Sequence, residues 1–563
     1  MRTFRPLMIA VLLLSTSALA SDKLEVQSAQ TTAAPNAPLV DQVVDRVIER
    51  EHATVQNLRD YTPIVETYLQ NMRPDEKLGA VPNGDRYFLG RLDMSQDVND
   101  RTFLGQPGMW QKFFSHFSNL YAIQYKPIGF SWMVFVDRNG FDRNHYDFKF
   151  ERREFLGDVR CLVFSVFPRT GSGNGRFLGR VWVEDQNYNI VRFNGTYTPH
   201  PRNSYFFHMD SWRVNVQPGV WLPTFVYTEE SDMKFSLKRE ANFKAQTRIW
   251  GYNLKRAGNQ QELTEVLVDS PTVKDQTDHA QDSSPIESMR AWRQQAENNV
   301  IEKLETAGLL SPEGEVDKVL QTVVNNLMIT NNLNIPPVKV RVMMTTPIET
   351  FHVGQTIIVS RGLVDVLPDE ASLAMVLSHE LAHIVLGHQL GSKYAFSDRI
   401  LFSDEYTYQR LGFHHDAHEE QEADTRALEL LKHSPYADKL PGAGLFLKQL
   451  QIRAGDMPAL LTPHIGNSLA EDGHIARMND LIASAPALEP DKLDQIAALP
   501  LGGRIRVDPW DDKLTLVKTQ AVALYSPREK VPFEVTPFFP HLTRVTLDLN
   551  AAKAADLGEP QKQ

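Results

Sequence analysis

The sequence is poor in cysteine and in long apolar runs. Cys161 is the only cysteine in 563 residues. No intramolecular disulfide can therefore form, and a metal site built on several cysteines is excluded. After the first twenty residues no segment reaches the roughly 20 apolar residues that span a bilayer. We therefore expect a mature chain without a transmembrane span. No repeat of fixed period occurs, which excludes solenoid folds.

An excess of basic residues is also absent. The chain has 59 Lys and Arg against 70 Asp and Glu, a formal net charge of −11. A phosphate backbone would be repelled by such an average surface, so we expect no nucleic-acid partner. With 42% hydrophobic and 23% charged residues, the composition is that of a globular protein. The length predicts two to four domains.

The N-terminus has the pattern of a secretory signal peptide. Arg2 and Arg5 precede a short apolar run at 7–14, and the small residues Ser-Ala-Leu-Ala follow at 17–20. This pattern predicts cleavage after residue 20. No cysteine follows Ala20, so lipid attachment there is not expected. We predict an exported protein, either periplasmic or secreted.

The first half of the chain reads as β-rich. A flexible leader is predicted at 21–38, one or two helices at 39–72, and from about residue 87 to 268 short alternating strands separated by turns. Predicted strands include 161–167, 179–184 and 189–193, and a hairpin is predicted from 212–216 and 221–227. Together, 39–269 is predicted to form one unit of helix plus antiparallel sheet, and the polar stretch 270–288 a linker.

The second half reads as mainly helical. Helices are predicted at 292–304, 315–327, 418–432 and 442–454, and strands at 337–343 and 356–360. A helix is predicted to start at Pro368-Asp369-Glu370 and to fade at Gly387 and Gly391. Residues 289–500 form the second predicted domain, 501–550 a small β-rich segment and 551–563 a tail. The predicted fold class is therefore multidomain, with a β-rich domain, then an α+β, mainly helical domain.

The motif that bears chemistry is His379-Glu380-Leu381-Ala382-His383. Histidines four residues apart share one face of a helix and can hold one Zn²⁺. Glu380 lies about one residue around the helix, where it can act as general base without being a ligand. The pattern predicts one zinc ion per chain and hydrolysis of peptide bonds.

A hydrolytic zinc site needs a third protein ligand. Glu420 fits best, because in Glu420-Gln421-Glu422-Ala423-Asp424 it shares a helix face with Asp424. Asp424 would then orient a ligating histidine. The same acidic residues are equally typical of a solvent-exposed helix start that binds no metal. The other downstream candidates are His388, His414, His415, His418, Glu419 and Glu422. His388 is predicted to be structural, because five residues after His383 it is rotated off the ligand face.

Three stretches resemble the gluzincin metalloprotease family that includes the CAAX prenyl protease, HtpX and BepA. They are Ile357-Ile358-Val359-Ser360-Arg361-Gly362-Leu363, the helix from Asp369 to His383, and Glu420-Gln421-Glu422-Ala423-Asp424-Thr425-Arg426-Ala427. The resemblance implies a zincin-like protease domain over about 292–481. It also implies Glu420 as third ligand, Asp424 as its supporting aspartate and an exported member without a membrane span.

The family also has a histidine in a Thr-His-Pro segment ahead of an arginine. Here the nearest text is Asp472-Gly473-His474-Ile475-Ala476-Arg477-Met478. His474 is the candidate for a transition-state or extra-ligand residue, and His464 is its rival. The strand at 356–360 is predicted to be the edge that pairs with an extended substrate.

The β-rich block resembles the half-barrel of LolA/LolB-like lipoprotein-sorting carriers, through Arg176-Phe177-Leu178-Gly179-Arg180-Val181-Trp182 and Ile190-Val191-Arg192-Phe193. Two functions follow. The first is an exported zinc metalloendopeptidase that cleaves unfolded or envelope proteins in processing or quality control. The second is an envelope factor that binds lipid, lipoprotein or protein and carries a latent or chaperone-like protease domain. Peripheral association with the envelope is compatible with both.

Overall fold

The computed structural model describes most of residues 37–545. The predicted signal peptide and leader, up to residue 36, lie outside the described residues, as does the predicted linker up to residue 284. The predicted fold class is confirmed: a β-rich N-terminal part precedes a mainly helical part with small sheets. Within 37–545 the residues not described are 77–78, 95–98, 105–129, 200–205, 237–238, 253–284, 389–407, 410, 472–473, 476, 490, 493–494, 503–504, 509–512 and 517–532.

The N-terminal part is one helix on a ten-stranded antiparallel sheet. Helix α1 is Ala37–Asn57, and the strand order is β3-β2-β1-β10-β9-β8-β7-β6-β5-β4. The strands are β1 Ile64–Asp75, β2 Gly79–Asp93, β3 Asn99–Thr102, β4 Tyr146–Leu156, β5 Val159–Pro168, β6 Arg176–Glu184, β7 Ile190–Thr198, β8 Met209–Gln217, β9 Val220–Ser236 and β10 Arg239–Trp250.

The predicted hairpins are confirmed by the strand pairing. In the first, predicted from 179–184 and 189–193, Val181 of β6 faces Phe193 of β7, and in the second Trp212 of β8 faces Phe225 of β9. The prediction of helices throughout 39–72 is wrong in its last third, because β1 begins at Ile64. Residues 64–70 are buried on both faces of the sheet, so their apolar and polar side chains do not alternate as they do in a half-exposed strand.

A buried ion pair fixes α1 on the sheet. Arg213 of β8 donates from Nη1 and Nη2 to the carboxylate of Glu51 at 2.6 and 2.7 Å. Both side chains are at most 1% exposed. On the outer face of α1, the exposed Asp45 accepts a hydrogen bond from Arg143.

The helical part surrounds a four-stranded sheet of order β11-β13-β12-β14. Its strands are β11 Lys339–Met343, β12 Glu349–Val353, β13 Thr356–Ser360 and β14 Asn467–Ser468, and the pair β15 Ala470–Glu471 and β16 His474–Ile475 lies apart. The helices are α2 Pro285–Thr306, α3 Glu315–Thr330, α4 Arg361–Val366, α5 Glu370–Leu386, α6 Ala417–Lys432, α7 Leu440–Arg453, α8 Pro458–Leu461 and α9 Asn479–Ser484.

The order of this sheet corrects one prediction. Strand β13, predicted as the edge, is hydrogen-bonded to β11 on one side and β12 on the other. Strand β12, which the sequence analysis missed, is paired with the two-residue β14 only at Glu349 and Thr350. The edge beside the predicted site is therefore formed by β12 and β14.

Helix α5 carries the His-Glu-x-x-His motif and is the most buried helix. The Asp369 side chain accepts the Ser372 N–H at its start, and Gly387 ends it in the left-handed conformation, with φ 75°. Residues 371–384 are all buried, packed against α3, α6, α7 and β12. Such packing limits side-chain movement at the motif.

Buried polar contacts join the two parts of the molecule. Glu66 of β1 accepts the Thr346 N–H at 2.6 Å, and Arg248 of β10 donates to the Met344 carbonyl at 2.6 Å. Arg248 is also bonded to Glu66. On β2, Asp85 accepts the N–H groups of Ala459 and Leu460, at the start of α8, at 2.8 and 2.7 Å.

The C-terminal residues return to the N-terminal sheet. After the hairpin of β17 Ile505–Asp508 and β18 Lys513–Leu516, residues 533–545 cross the sheet without regular structure; we call them the C-terminal strap. Val535 N–H bonds to Gln70 of β1, Phe538 packs edge-on to Phe225 of β9, and Arg544 donates to Glu184 of β6. Among the described helices, none combines the length and apolarity needed to cross a membrane.

Candidate metal centre

Two imidazoles and one carboxylate converge where the second half of α5 meets the first turn of α6. His379 and His383 lie one turn apart on α5, with their Nε2 atoms 3.0 Å apart. Glu420, in the first turn of α6, places Oε2 3.1 Å from His379 Nε2 and Oε1 3.8 Å from His383 Nε2. Within the described part of the chain this is the one group of at least three His, Cys, Asp or Glu residues whose ligand atoms all lie within 4.8 Å of one another.

This donor set fits zinc. Zn²⁺ takes imidazole nitrogen and carboxylate oxygen at about 2.0–2.2 Å, which places tetrahedral ligand atoms roughly 3.4 Å apart. The observed separations of 3.0 to 3.8 Å bracket that value. Two of the three residues are buried and Glu420 is partly exposed. The three predicted ligands are therefore brought together as one cluster.

Asp424 lies behind His379. Its Oδ1 is 2.9 Å from His379 Nδ1, and its Oδ2 accepts the Met478 N–H at 2.8 Å. In the tautomer with the proton on Nδ1, the His379 N–H donates a hydrogen bond to Asp424, and the Nε2 lone pair faces Glu420. One turn of α6 separates Asp424 from Glu420, as the sequence spacing predicted.

Glu380 is fully buried on the adjoining face of α5. Its Oε2 is 3.3 Å from His352 Nδ1, and its Oε1 is 3.7 Å from Arg477 Nη1. Burial alone would raise the pKa of Glu380. The hydrogen bond to His352 and the charges of His379 and Arg477 outweigh burial and lower that pKa to about 2. Glu380 is thus ionised at neutral pH.

The pKa values of the three cluster residues are shifted in different directions. Burial lowers the pKa of His383 to about 4, so that imidazole is neutral at pH 7. Burial and Arg477 also act to lower the pKa of His379, but the hydrogen bonds to Asp424 and Glu420 raise it overall. Burial acts to raise the pKa of Glu420, yet its hydrogen bond with His379, its contact with His383 and the charge of Arg477 lower it well below its usual range.

Three nearby residues were not assigned a role from the sequence. His352 lies on β12, a strand that was not predicted. Arg477 places Nε 3.3 Å from Glu420 Oε2, and Asn467 of β14 donates from Nδ2 to Glu420 Oε1 at 2.6 Å. A basic residue after His474 was visible in the sequence as the arginine of the family segment. Nothing in the local pattern marks His352 or Asn467, because strand pairing brings them to the site.

Other histidines surround the cluster. His388 was predicted to point away from the ligand face, yet its Nδ1 lies 2.9 Å from His383 Nδ1. The left-handed turn at Gly387 ends the helix and folds His388 back, so helical spacing no longer applies. His415 stacks on His383 with ring centroids 4.0 Å apart. His414 approaches Asn467, and the exposed His418 lies beside Glu422.

The two candidates for an additional catalytic histidine are separated. His474 lies in β16, paired with Glu471, and its side chain is outside the described residues. Its predicted role therefore stays a prediction. His464 stacks on Tyr87 of the N-terminal sheet, and its N–H bonds to Glu349. That ring is held at the junction with the N-terminal part.

One comparison with known protein families finds a match in the helical part of the chain. Residues 315–403 match the profile of Peptidase family M48, which confirms the predicted resemblance and identifies this segment with a metallopeptidase family. The match includes the histidine pair and ends before Glu420. No curated protein sequence matches the chain.

Two solved structures are among those that are similar to part of this chain. One is a DUF1329 family protein from Desulfovibrio piger, 12% identical, with 37% of this chain and 90% of that chain covered and a TM-score of 0.19. Another is a LolA superfamily protein from Nitrosomonas europaea, 10% identical, with 40% and 96% covered and a TM-score of 0.19.

Proposed function

We propose that this chain is an exported zinc-dependent metalloendopeptidase that hydrolyses peptide bonds in unfolded or envelope proteins. The observation that carries the proposal is the convergence of His379, His383 and Glu420, with Glu380 ionised and buried beside them. Export rests on the predicted signal peptide at 1–20. A role in envelope protein processing or quality control follows from that location.

Glu380 is the general base and then the general acid. When bound, zinc supplies Lewis acidity, which brings the pKa of a bound water toward neutrality and polarises a carbonyl. Glu380 takes the proton of the attacking water and passes it to the leaving amine. Its lowered pKa keeps it in the ionised form, which a general base requires, across the neutral range.

The surrounding residues hold this arrangement. His383, neutral at pH 7, presents a nitrogen lone pair, and Asp424 orients His379. Asn467 and Arg477 fix the carboxylate of Glu420 from two sides. His474 is the proposed additional residue at the reacting carbonyl, on the resemblance to the family segment.

An extended substrate has a place to bind beside the site. Strand β14 covers only the first two residues of β12, so the ladder with β14 does not include 351–353. His352, in that stretch, contacts Glu380. Backbone pairing of a peptide with this edge would lay its scissile bond near the cluster.

One observation favours the latent alternative. One oxygen of Glu380 is hydrogen-bonded to His352, the other lies 3.7 Å from Arg477 without a hydrogen bond, and the residue is 0% exposed. A base held in this way must be released or reached by water before it acts. An envelope-binding factor with a latent protease domain is therefore the second candidate.

Zinc content and casein cleavage, measured on the purified parent protein and on Glu380→Gln, test the proposal. We expect about one zinc per chain in both proteins, as a three-ligand site predicts, and cleavage only in the parent. Zinc in both without cleavage of casein would favour the latent alternative. Absence of zinc from the parent after incubation with zinc would contradict the proposal at its root.

A further inference from the structure

A small cavity lies where the sheet, helix α4 and the C-terminal strap meet. Its volume is about 30 Å³ and it is partly open to solvent. The cavity has room for roughly two waters, and hence for a carboxylate group, and a tail can extend through its opening. The walls are largely apolar. They are formed by Val214, Phe225, Ile249, Trp250, Val507 and Phe538.

Three arginines also line this cavity: Arg248 of β10, Arg361 of α4 and Arg506 of β17. Arg248 and Arg361 are each 4% exposed. Arg248 uses Nε and Nη2 toward Glu66, Met344 and Thr346. Arg361 uses Nη2 toward the Ile505 carbonyl at 3.0 Å.

Each of these two buried arginines keeps a donor that is not hydrogen-bonded. Nη1 of Arg248 and Nε of Arg361 have no hydrogen-bond partner. The closest carboxylate to the latter, Asp365, is 3.6 Å away, beyond hydrogen-bond distance. A buried donor on a charged group is unfavourable without a partner, because it has lost its hydrating water and gained no acceptor. The cavity is therefore lined by two buried arginines, each ion-paired with a carboxylate and each with one N–H donor that is not hydrogen-bonded.

We propose that this cavity binds a small carboxylate with a short apolar tail. Guanidinium groups match the planar geometry of a carboxylate better than that of a spherical ion. The aromatic and aliphatic walls favour a ligand with an apolar portion over a strongly hydrated inorganic anion. The inference stands independently of the proposed peptidase activity, because none of these residues belongs to the metal cluster.

Bound carboxylate would connect three separate stretches of chain. Arg248 comes from the N-terminal sheet, Arg361 from the helix just before α5, and Arg506 from the hairpin that precedes the strap. Binding of a carboxylate in the cavity therefore stabilises the folded protein by mass action, because the unfolded chain has no such site.

Calorimetric titration of the purified protein with butyrate, acetate, chloride and sulfate at pH 7 and constant ionic strength tests this site. We expect saturable one-site binding of butyrate, weaker binding of acetate, and none of chloride or sulfate. Arg361→Lys keeps the charge but removes the planar donor pair, and Arg506→Gln removes a charge at the rim. Each should weaken butyrate binding at least about tenfold, the effect of losing one charge-assisted hydrogen bond.

Arg160→Gln is the matched control, because its side chain is 59% exposed and lies on β5, paired with Asp185. It should bind butyrate as the parent does. Equal responses to all four anions, tighter binding of sulfate than of butyrate, or unchanged binding in Arg506→Gln would each overturn the proposal. Melting curves identify a variant that fails to fold. If Arg361→Lys does not fold, Arg506→Gln still tests the proposal, because Arg506 is only half-buried.

Discussion

At the scale of single residues, the site combines side chains that the sequence predicts with side chains that it does not. His379, Glu380 and His383 follow from the spacing of a helix, and Glu420 with Asp424 follows from a second helix plus the family resemblance. His352 and Asn467 could not be found in this way. They lie on β12 and β14, and only the pairing of Thr350 with Asn467 brings those strands beside the motif. Long-range pairing of this kind leaves no trace in local sequence.

Asp424 is expected to support zinc binding without being a ligand. Asp424→Ala removes the acceptor of His379 Nδ1, so we expect zinc affinity to fall about 10–100-fold. Competition with a chelator measures this directly. Glu429→Ala, an exposed change on the same helix, is the control and should leave the affinity as in the parent. Equal affinity in Asp424→Ala and the parent would rule out the supporting role.

His352 is expected to set the acid limit of activity. It is the largest single influence that lowers the pKa of Glu380, against burial, which raises it. His352→Phe keeps a ring beside His415 but loses the hydrogen bond. The pKa of Glu380 then rises, and the acidic limb of kcat/KM for peptide cleavage moves to higher pH. A limb that stays in place would show that His352 does not act on Glu380.

At the scale of secondary-structure elements, the predictions succeeded where the apolar pattern is local. Helix α5 begins at the expected acidic cap and ends at Gly387. They failed for β1, where both faces are buried, and for β12, whose five residues are all buried. The strands with a clear turn between them, β6 with β7 and β8 with β9, were found. Burial on two faces removes the alternation that marks a strand.

Helix α4 is expected to tolerate no side chain at its second residue. A Cβ on Gly362 would lie 1.8 Å from the Thr346 carbonyl oxygen, a backbone atom. Gly362→Ala should therefore lower the free energy of unfolding by about 3 kcal/mol. Gly455→Ala is the matched control, since a Cβ there meets nothing within 4 Å. Urea unfolding of both variants checks this, and similar midpoints would contradict the packing at α4.

Helix α1 is expected to depend on its inner ion pair and not on its outer one. Glu51→Gln leaves Arg213 buried without its charged partner, which should cost about 3–5 kcal/mol. Asp45→Asn breaks an exposed pair with Arg143 and should cost less than about 1 kcal/mol. Thermal melting of the two variants compares them. Equal losses would mean that α1 is held by its apolar face alone.

At the scale of the whole molecule, the two parts meet through desolvated polar groups. Glu66, Arg248 and Asp85 all come from the sheet and reach backbone groups of the helical part. The sequence gives no sign of this junction. It placed the two parts in order along the chain but not against each other, because the partners lie hundreds of residues apart.

The junction is expected to lose stability as pH rises through the weakly acidic range. Burial raises the pKa of Asp85 from 3.8 to about 6, although the N–H groups of Ala459 and Leu460 oppose the shift. The folded state thus binds more protons than the unfolded state between these values, and unfolding free energy falls as pH rises from about 4 to 6. The change is about 2 kcal/mol.

Asp85→Asn should remove this dependence, because the amide does not titrate. Denaturant unfolding between pH 4 and 7, in parent and variant, measures the difference. Asp438→Asn, on an exposed residue of the helical part, serves as a control and should keep the slope of the parent. A slope in Asp85→Asn as steep as in the parent would assign the effect to other groups.

The C-terminal strap has a consequence for the order in which the protein can be made. Residues 533–545 lie across strands formed from residues 64 to 250 and bond to Gln70, Glu184 and Asn215. A ribosome releases the sheet residues before the strap. The part of the sheet that the strap covers therefore stays uncovered while about 280 residues between β10 and the strap are synthesised. The N-terminal sheet is completed only after the helical part that follows it has been made.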